Sequence, residues 1–376
     1  MKIAAYIILA LVILIIGFFF WFFKCYLVVP ELKIPKNMSE SQKIELLDDW
    51  FTRLMGEDKF NGVVFFSKND KILLSKGYGY IDFRKVKKLS NESSLRLASV
   101  SKQFTAAGIL LLAEKGKLEL GDNIKEFLPD MPYNDITIRN LLNQTSGIPD
   151  VYLELAEKNK NSIEILSNQK AIELIINAQR KPDFKPNGKY QYSNTNYIIL
   201  ARVIEIISRD SFENFMKKEL FEPLEMNNTR VWNLLSSDST FKNKAYDFDN
   251  LKGSVSELKP TFIDGVAGDG AVFSSANDML LWDRFWYGNN LISNSLLDEA
   301  FKKPTLENGE ISEYGFGWII TENGMWHNGA WLGANTIIMR NTKEKTCTAI
   351  FDNSSNLFFD KILKELSKLK KVDNNR

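Results

Sequence analysis

Cysteine and histidine are nearly missing from this chain. Its 376 residues include two cysteines, Cys25 and Cys347, and one histidine, His327. One thiol lies beside the apolar N-terminus and the other in the strand-like run "KTCTAIF", so a disulfide framework is excluded. A zinc site built from histidine and cysteine takes three or four such ligands, so zinc hydrolysis is not expected. Charge of one sign is lacking too. Lysine and arginine number 48 against 47 aspartates and glutamates, which leaves no net field to gather nucleic acid or acidic partners. A small neutral substrate suits that balance better. There is also no G-x-S-x-G segment, the nucleophile elbow that would accompany His327 as the base of a Ser-His-Asp triad.

What is present is enough for a sizeable core, since 44% of residues are hydrophobic and 25% charged. The apolar run "IAAYIILALVILIIGFFFWFF", Ile3 to Phe23, carries no charge over 21 residues. At 1.5 Å per residue it spans the roughly 30 Å hydrocarbon layer. Bulky aromatics followed by Lys24 and Cys25 do not form a small-residue cleavage site, so residues 1–24 are expected to be an uncleaved transmembrane anchor. Lys2 opposes Lys24, Lys33 and Lys36, and charge alone leaves the orientation open. Residues 25–40 read as a tether, with Pro30 and Pro35 stopping helix continuation, and residues 41–376 as the folded domain.

Within that domain, Ile44, Leu47, Trp50, Phe51 and Leu54 recur at helical spacing. Two β-rich runs flank the polar tip Lys68-Asn69-Asp70-Lys71, which predicts a hairpin. Further strand signals come only near the end, in "YGFGWIIT", "MWHNGAW", "ANTIIMRN" and "TCTAIFDN", ahead of a last amphipathic helix. Strands at both ends with helices between imply one sheet built from the two termini and an inserted helical region.

A serine three residues before a lysine occurs five times, starting at Ser99, Ser167, Ser239, Ser256 and Ser367. Only Ser99 stands at the mouth of a long apolar helix, expected over residues 101–114. There Ser99 and Lys102 face the same side, within hydrogen-bond reach. A partly desolvated lysine beside a hydroxyl can serve as base, and the helix start favours developing negative charge. The alternative is a helix cap followed by a surface lysine.

Together with "LASVSK", the segments "YQYSNTNY", "GDGAVFSSANDM", "YGFGW" and "WHNGAWLG" follow in an order that resembles the serine β-lactamase and penicillin-binding protein superfamily, in its class C-like branch. The resemblance runs from about Asn61 to Asn353. It implies an α/β fold, an antiparallel sheet of N- and C-terminal strands flanked by helices, with an inserted mainly helical region. By the same resemblance Ser99 is the acylated nucleophile and Lys102 its partner. Tyr192-Ser193-Asn194 matches the family's Tyr-x-Asn, giving Tyr192 a proton-shuttling role and Asn194 a hold on a substrate carbonyl. A second match, Tyr287-Gly288-Asn289, fits the C-terminal turn of an aromatic helix. The usual Lys-Thr-Gly is replaced by His327-Asn328-Gly329, followed by Ala330. The resemblance places His327, Gly329 and Ala330 at the substrate, with the amides of Ser99 and Ala330 as the oxyanion hole. An imidazole in place of a permanent cation weakens recognition of a substrate carboxylate, which makes strong β-lactamase activity unexpected. "GDGAVFSSANDM" is expected only to shape the pocket rim. The implied reaction is hydrolysis of an ester or amide on a small molecule or peptide, which includes cell-wall fragments, without a cofactor. The alternative is a non-catalytic sensor that keeps the pocket.

Overall fold

The computed structural model describes residues 10–18, 28–35, 37–236, 241–251 and 254–373. They group into two compact units, one formed by the residues before Asn61 together with those from Leu357 onward, the other by Asn61–Asn356.

In the first unit, helix α1 (Glu40–Gly56) starts at a capping box in which Ser39 and Gln42 satisfy each other's backbone amides. Its buried residues are Leu47, Trp50, Phe51 and Leu54, as the spacing predicts, and the Trp50 indole donates to the Pro30 carbonyl at 2.9 Å. The C-terminal helix is Phe359–Asp373. Most of the apolar run Ile3–Phe23 lies outside the described residues. Residues 10–18 are helical and exposed, and among the described residues no helix is long and apolar enough to cross a membrane.

The second unit holds an antiparallel sheet. Strands β1 (Gly62–Lys68) and β2 (Lys71–Tyr78) form the expected hairpin. Asn69 and Asp70 both take positive φ at its tip, the turn geometry that matches strand twist. Three short pairings follow in the connecting region. β3 (Leu95–Arg96) and β4 (Arg230–Val231) flank β7 (Val272–Ser274), and β5 (Phe248–Leu251) pairs with β6 (Ser254–Glu257). Sequence reading took this stretch as helix and loop, because strands of two to four residues are too short to display alternation. The chain then returns through β8 (Ile319–Ile320), β9 (Gly324–Trp331), β10 (Ala334–Asn341) and β11 (Thr346–Asp352). The order β2-β1-β11-β10-β9-β8 joins the two ends of the unit, with Val63 opposite Phe351 and Phe65 opposite Ala349. One sheet built from N- and C-terminal strands is thus what the sequence folds into.

Helix α2 (Lys102–Glu114) runs through the core with Lys102 to Leu112 all buried. A helix buried on every side has no solvent face, which explains its apolar run from Ala106 to Leu112. Phe104 stacks on Trp282 at 3.9 Å, and the Trp282 indole donates to Gln103 at 2.9 Å. Helix α3 (Asn168–Ala178) packs on α4 (Asn194–Ser208), α4 packs on α2, and α5 (Asp278–Phe285) meets α2 through the Phe104–Trp282 stack. Helix α5 is pinned to the sheet by a buried ion pair, Arg340 Nε on β10 to Asp283 Oδ1 at 2.5 Å. The Arg340 guanidinium also sits 4.6 Å from the centre of the Tyr287 ring, so the second Tyr-x-Asn match is spent on closing this helix. Burial raises the Asp283 pKa and Arg340 opposes the shift. Removing one partner of such a pair strands the other charge. Arg340→Ala should therefore lose about 3–5 kcal/mol in urea unfolding. The deficit should shrink as pH falls, because a carboxyl with a raised folded-state pKa gives stability that is lost as pH rises through that pKa.

Candidate active site

The segment that carries Ser99 is a short 3-10 turn, Ala98–Ser101, leading directly into α2. Ala98 is held at φ +47°, a conformation that costs a non-glycine residue about 1–2 kcal/mol and must be fixed by its surroundings. Two contacts from the β7 segment do this: Leu97 N donates to Val272 O at 2.8 Å, and Val272 N to the Ser101 hydroxyl at 3.1 Å. Ser101 is therefore a structural serine, and Ser99 is the one that reaches the cleft.

Lys102 is fully buried, and each of its three N–H bonds has an acceptor. Nζ donates to Ser99 Oγ at 3.1 Å, to Asn194 Oδ1 at 2.8 Å and to the Asp269 carbonyl at 2.8 Å. It also lies 4.9 Å from the centre of the Tyr192 ring. Asn194 opens α4, and its amide is clamped between Lys102 and Asp150, to which Nδ2 donates at 2.9 Å. Asp150 accepts from Thr195 N at 3.0 Å as well, and so caps α4. The "GDGAVFSSANDM" loop does more than form a rim, since its Asp269 carbonyl is the third acceptor for Lys102. The half-buried Asp269 carboxylate accepts from the Tyr152 hydroxyl at 2.7 Å; desolvation raises its pKa and Lys102 opposes the shift.

Opposite Ser99 runs β9. The short β8 pairs only with Met325 and Trp326, so among the described residues no strand covers the outer edge of β9 from His327 to Trp331. Asn328 and Ala330 are exposed there, while His327 and Gly329 are buried. A Cβ on Gly329 would lie 2.5 Å from Leu97 O and 2.8 Å from Ser99 N, so only glycine lets β9 come this close to the Ser99 turn. Gly317 of "YGFGW", at φ +75°, allows the same approach on the other side, against Gln103 N. His327 Nδ1 is 2.6 Å from the Asn328 carbonyl and Nε2 is 2.9 Å from the Tyr314 hydroxyl. Burial, with Lys102 nearby, lowers its pKa to about 3.

Ser99, Asn194, Tyr152, Asp269, Ala330 and Trp331 line a cleft of about 90 Å³. The structure thus brings together Ser99, Lys102, Tyr192, Asn194, His327, Gly329 and Ala330, with His327 set apart by having both nitrogens engaged. Asp150, Tyr152 and Asp269 escaped sequence reading. Asp269 contributes to Lys102 through its backbone, which leaves no side-chain signature.

The model of the family described as "Beta-lactamase" matches residues 47–369. The chain belongs to that family. It is a serine hydrolase of the β-lactamase and penicillin-binding protein type. It is 36% identical over 315 residues to Penicillin-binding protein 4* of Bacillus subtilis, covering 80% of this chain and 70% of that one. It is 30% identical over 312 residues to Protein flp of Staphylococcus aureus, covering 80% of this chain and spanning 61% of the relative. The solved D-amino acid amidase of Ochrobactrum anthropi superposes with a TM-score of 0.70 at 19% identity, over 90% of this chain and 99% of that one.

The close approach of β9 is directly testable. Gly329→Ala should stay folded by circular dichroism yet lose about 100-fold or more in ester hydrolysis, because a displacement near 1 Å at the nucleophile costs that much. Unchanged hydrolysis would show that the approach is not needed.

Proposed function

We propose that this protein hydrolyses an ester or amide through an acyl-Ser99 intermediate. The observation that carries this reading is the fully buried Lys102 ammonium donating to Ser99 Oγ, with the Tyr192 ring beside it. Ser99 Oγ attacks the substrate carbonyl and passes its proton to Tyr192, which enters the step as the phenolate beside the Lys102 ammonium. The amides of Ser99 and Ala330 take up the charge of the tetrahedral intermediate, and Asn194 steadies the acyl carbonyl. Tyr192 protonates the leaving group and then activates the water that releases the acyl group. Gly329 keeps β9 in range of these events. With no Glu-x-x-Leu-Asn segment in the sequence, deacylation rests on Tyr192 and Lys102.

A substrate carboxylate is not part of the recognition. The place of the family's permanent cation is held by His327, whose low pKa leaves it uncharged near pH 7. Losing one charge-assisted hydrogen bond is worth roughly 1.5–3 kcal/mol, about 10- to 150-fold. Small esters such as p-nitrophenyl acetate or butyrate should then have a higher kcat/KM than benzylpenicillin. Ser99→Ala should cut ester turnover by on the order of 10⁴ or more. Faster turnover of benzylpenicillin than of either ester would make this a true β-lactamase instead.

We further propose that residues 1–24 anchor the chain in a membrane, that residues 25–40 form a tether, and that the hydrolase domain, residues 41–376, lies outside the cytoplasm, where cell-wall peptides are available. The 21-residue uncharged run Ile3–Phe23 supports this. Fractionation should leave the full-length protein in the membrane pellet, and protease added to intact spheroplasts should digest the domain. A domain protected until lysis would reverse the orientation.

A further inference from the structure

Tyr314 is a fully buried tyrosine that the reaction above does not use. It begins the "YGFGW" segment, whose backbone is fixed by Phe316 N donating to Ala300 O at 2.9 Å and by Gly317 pressed against the start of α2. From there its ring meets three others. The centroid distances are 5.7 Å to His327, 6.0 Å to Tyr192 and 5.8 Å to Tyr190, the first two edge-on. Its hydroxyl lies 2.9 Å from His327 Nε2.

The tautomer of His327 follows from these partners. A carbonyl oxygen only accepts, so the 2.6 Å contact to Asn328 O puts a proton on Nδ1. A second proton on Nε2 would create an imidazolium out of water and close to Lys102. Among the described residues, the other titratable groups against the ring are the phenols of Tyr192 and Tyr314, and no carboxylate compensates a charge there; Tyr197, which also meets the Tyr314 hydroxyl, gives its own proton to the Leu142 carbonyl at 2.9 Å and supplies none to Tyr314. Nε2 is therefore bare and accepts from the Tyr314 hydroxyl. We propose that Tyr314 is a positioning residue that fixes His327 as a neutral imidazole protonated at Nδ1, so that neither ring nitrogen is offered to the substrate. On the hydrolase reading given above, what β9 presents to substrate is then its backbone edge with the exposed Asn328 and Ala330, and the His327 ring is an uncharged wall beside Tyr192.

The chain has one histidine, so histidine labelled with nitrogen-15 reports this ring alone. In the full-length protein in detergent, the spectrum should show a protonated-type Nδ1 and a pyridine-type, hydrogen-bonded Nε2, unchanged from about pH 8 to about pH 5, across the ordinary histidine range near 6.5. In Tyr314→Phe the Nε2 resonance should move toward the value of an unbonded pyridine-type nitrogen, and ester hydrolysis should fall about tenfold in kcat with little change in KM. A wild-type ring protonated at Nε2, or titrating in that pH range, would overturn the proposal. So would an Nε2 resonance that Tyr314→Phe leaves in place. The wild-type spectrum decides the tautomer even if Tyr314→Phe does not fold, and it does so whether or not Ser99 is acylated.

Discussion

Everything in the second unit is arranged around one buried ammonium. Lys102 has no solvent, and a charge out of water is tolerated only when its donors are matched. Its three acceptors come from three places far apart in the chain: the turn before α2, the start of α4 and the loop before β7. Each needs its own support. The turn depends on β7 to hold Ala98 in a left-handed conformation, Asn194 depends on Asp150, and the Asp269 loop on Tyr152. Satisfying the lysine therefore fixes the direction of Ser99 Oγ.

The sheet provides the other half of the constraint. A strand edge is useful to a substrate only if it is free and close to the nucleophile. The shortness of β8 frees the edge of β9, and Gly329 brings it close. On the same strand His327 has both nitrogens engaged within the protein. Polarity at that end of the cleft then comes from backbone, and charge stays with Lys102.

Where side chains carried the signal, the sequence was readable. Ser99 and Lys102 are one helical turn apart, so their contact follows from local geometry once the helix is recognised. Ser167, read as part of a polar connection, in fact opens a helix as Ser99 does: it caps α3 by accepting from Lys170 N. Ser256 lies in β6, and Ser239 falls outside the described residues. The sheet was legible because β1, β9, β10 and β11 are seven or eight residues long and rich in buried apolar positions. β3, β4 and β7 were not, since strands of two or three residues are made by tertiary contact. Asp269 was missed for a different reason: any residue could supply the carbonyl that Lys102 uses. The His327 tautomer is likewise set by Tyr314, which precedes it by 13 positions and meets it only in the fold.

The account stands or falls on whether Ser99 is the atom that reacts. A fluorophosphonate probe, followed by intact-mass measurement and peptide mapping, reads this without any assumption about the natural substrate. One phosphonyl group on Ser99, absent in Ser99→Ala, is the predicted result. Labelling that maps to Ser101, or that persists in Ser99→Ala, would contradict it.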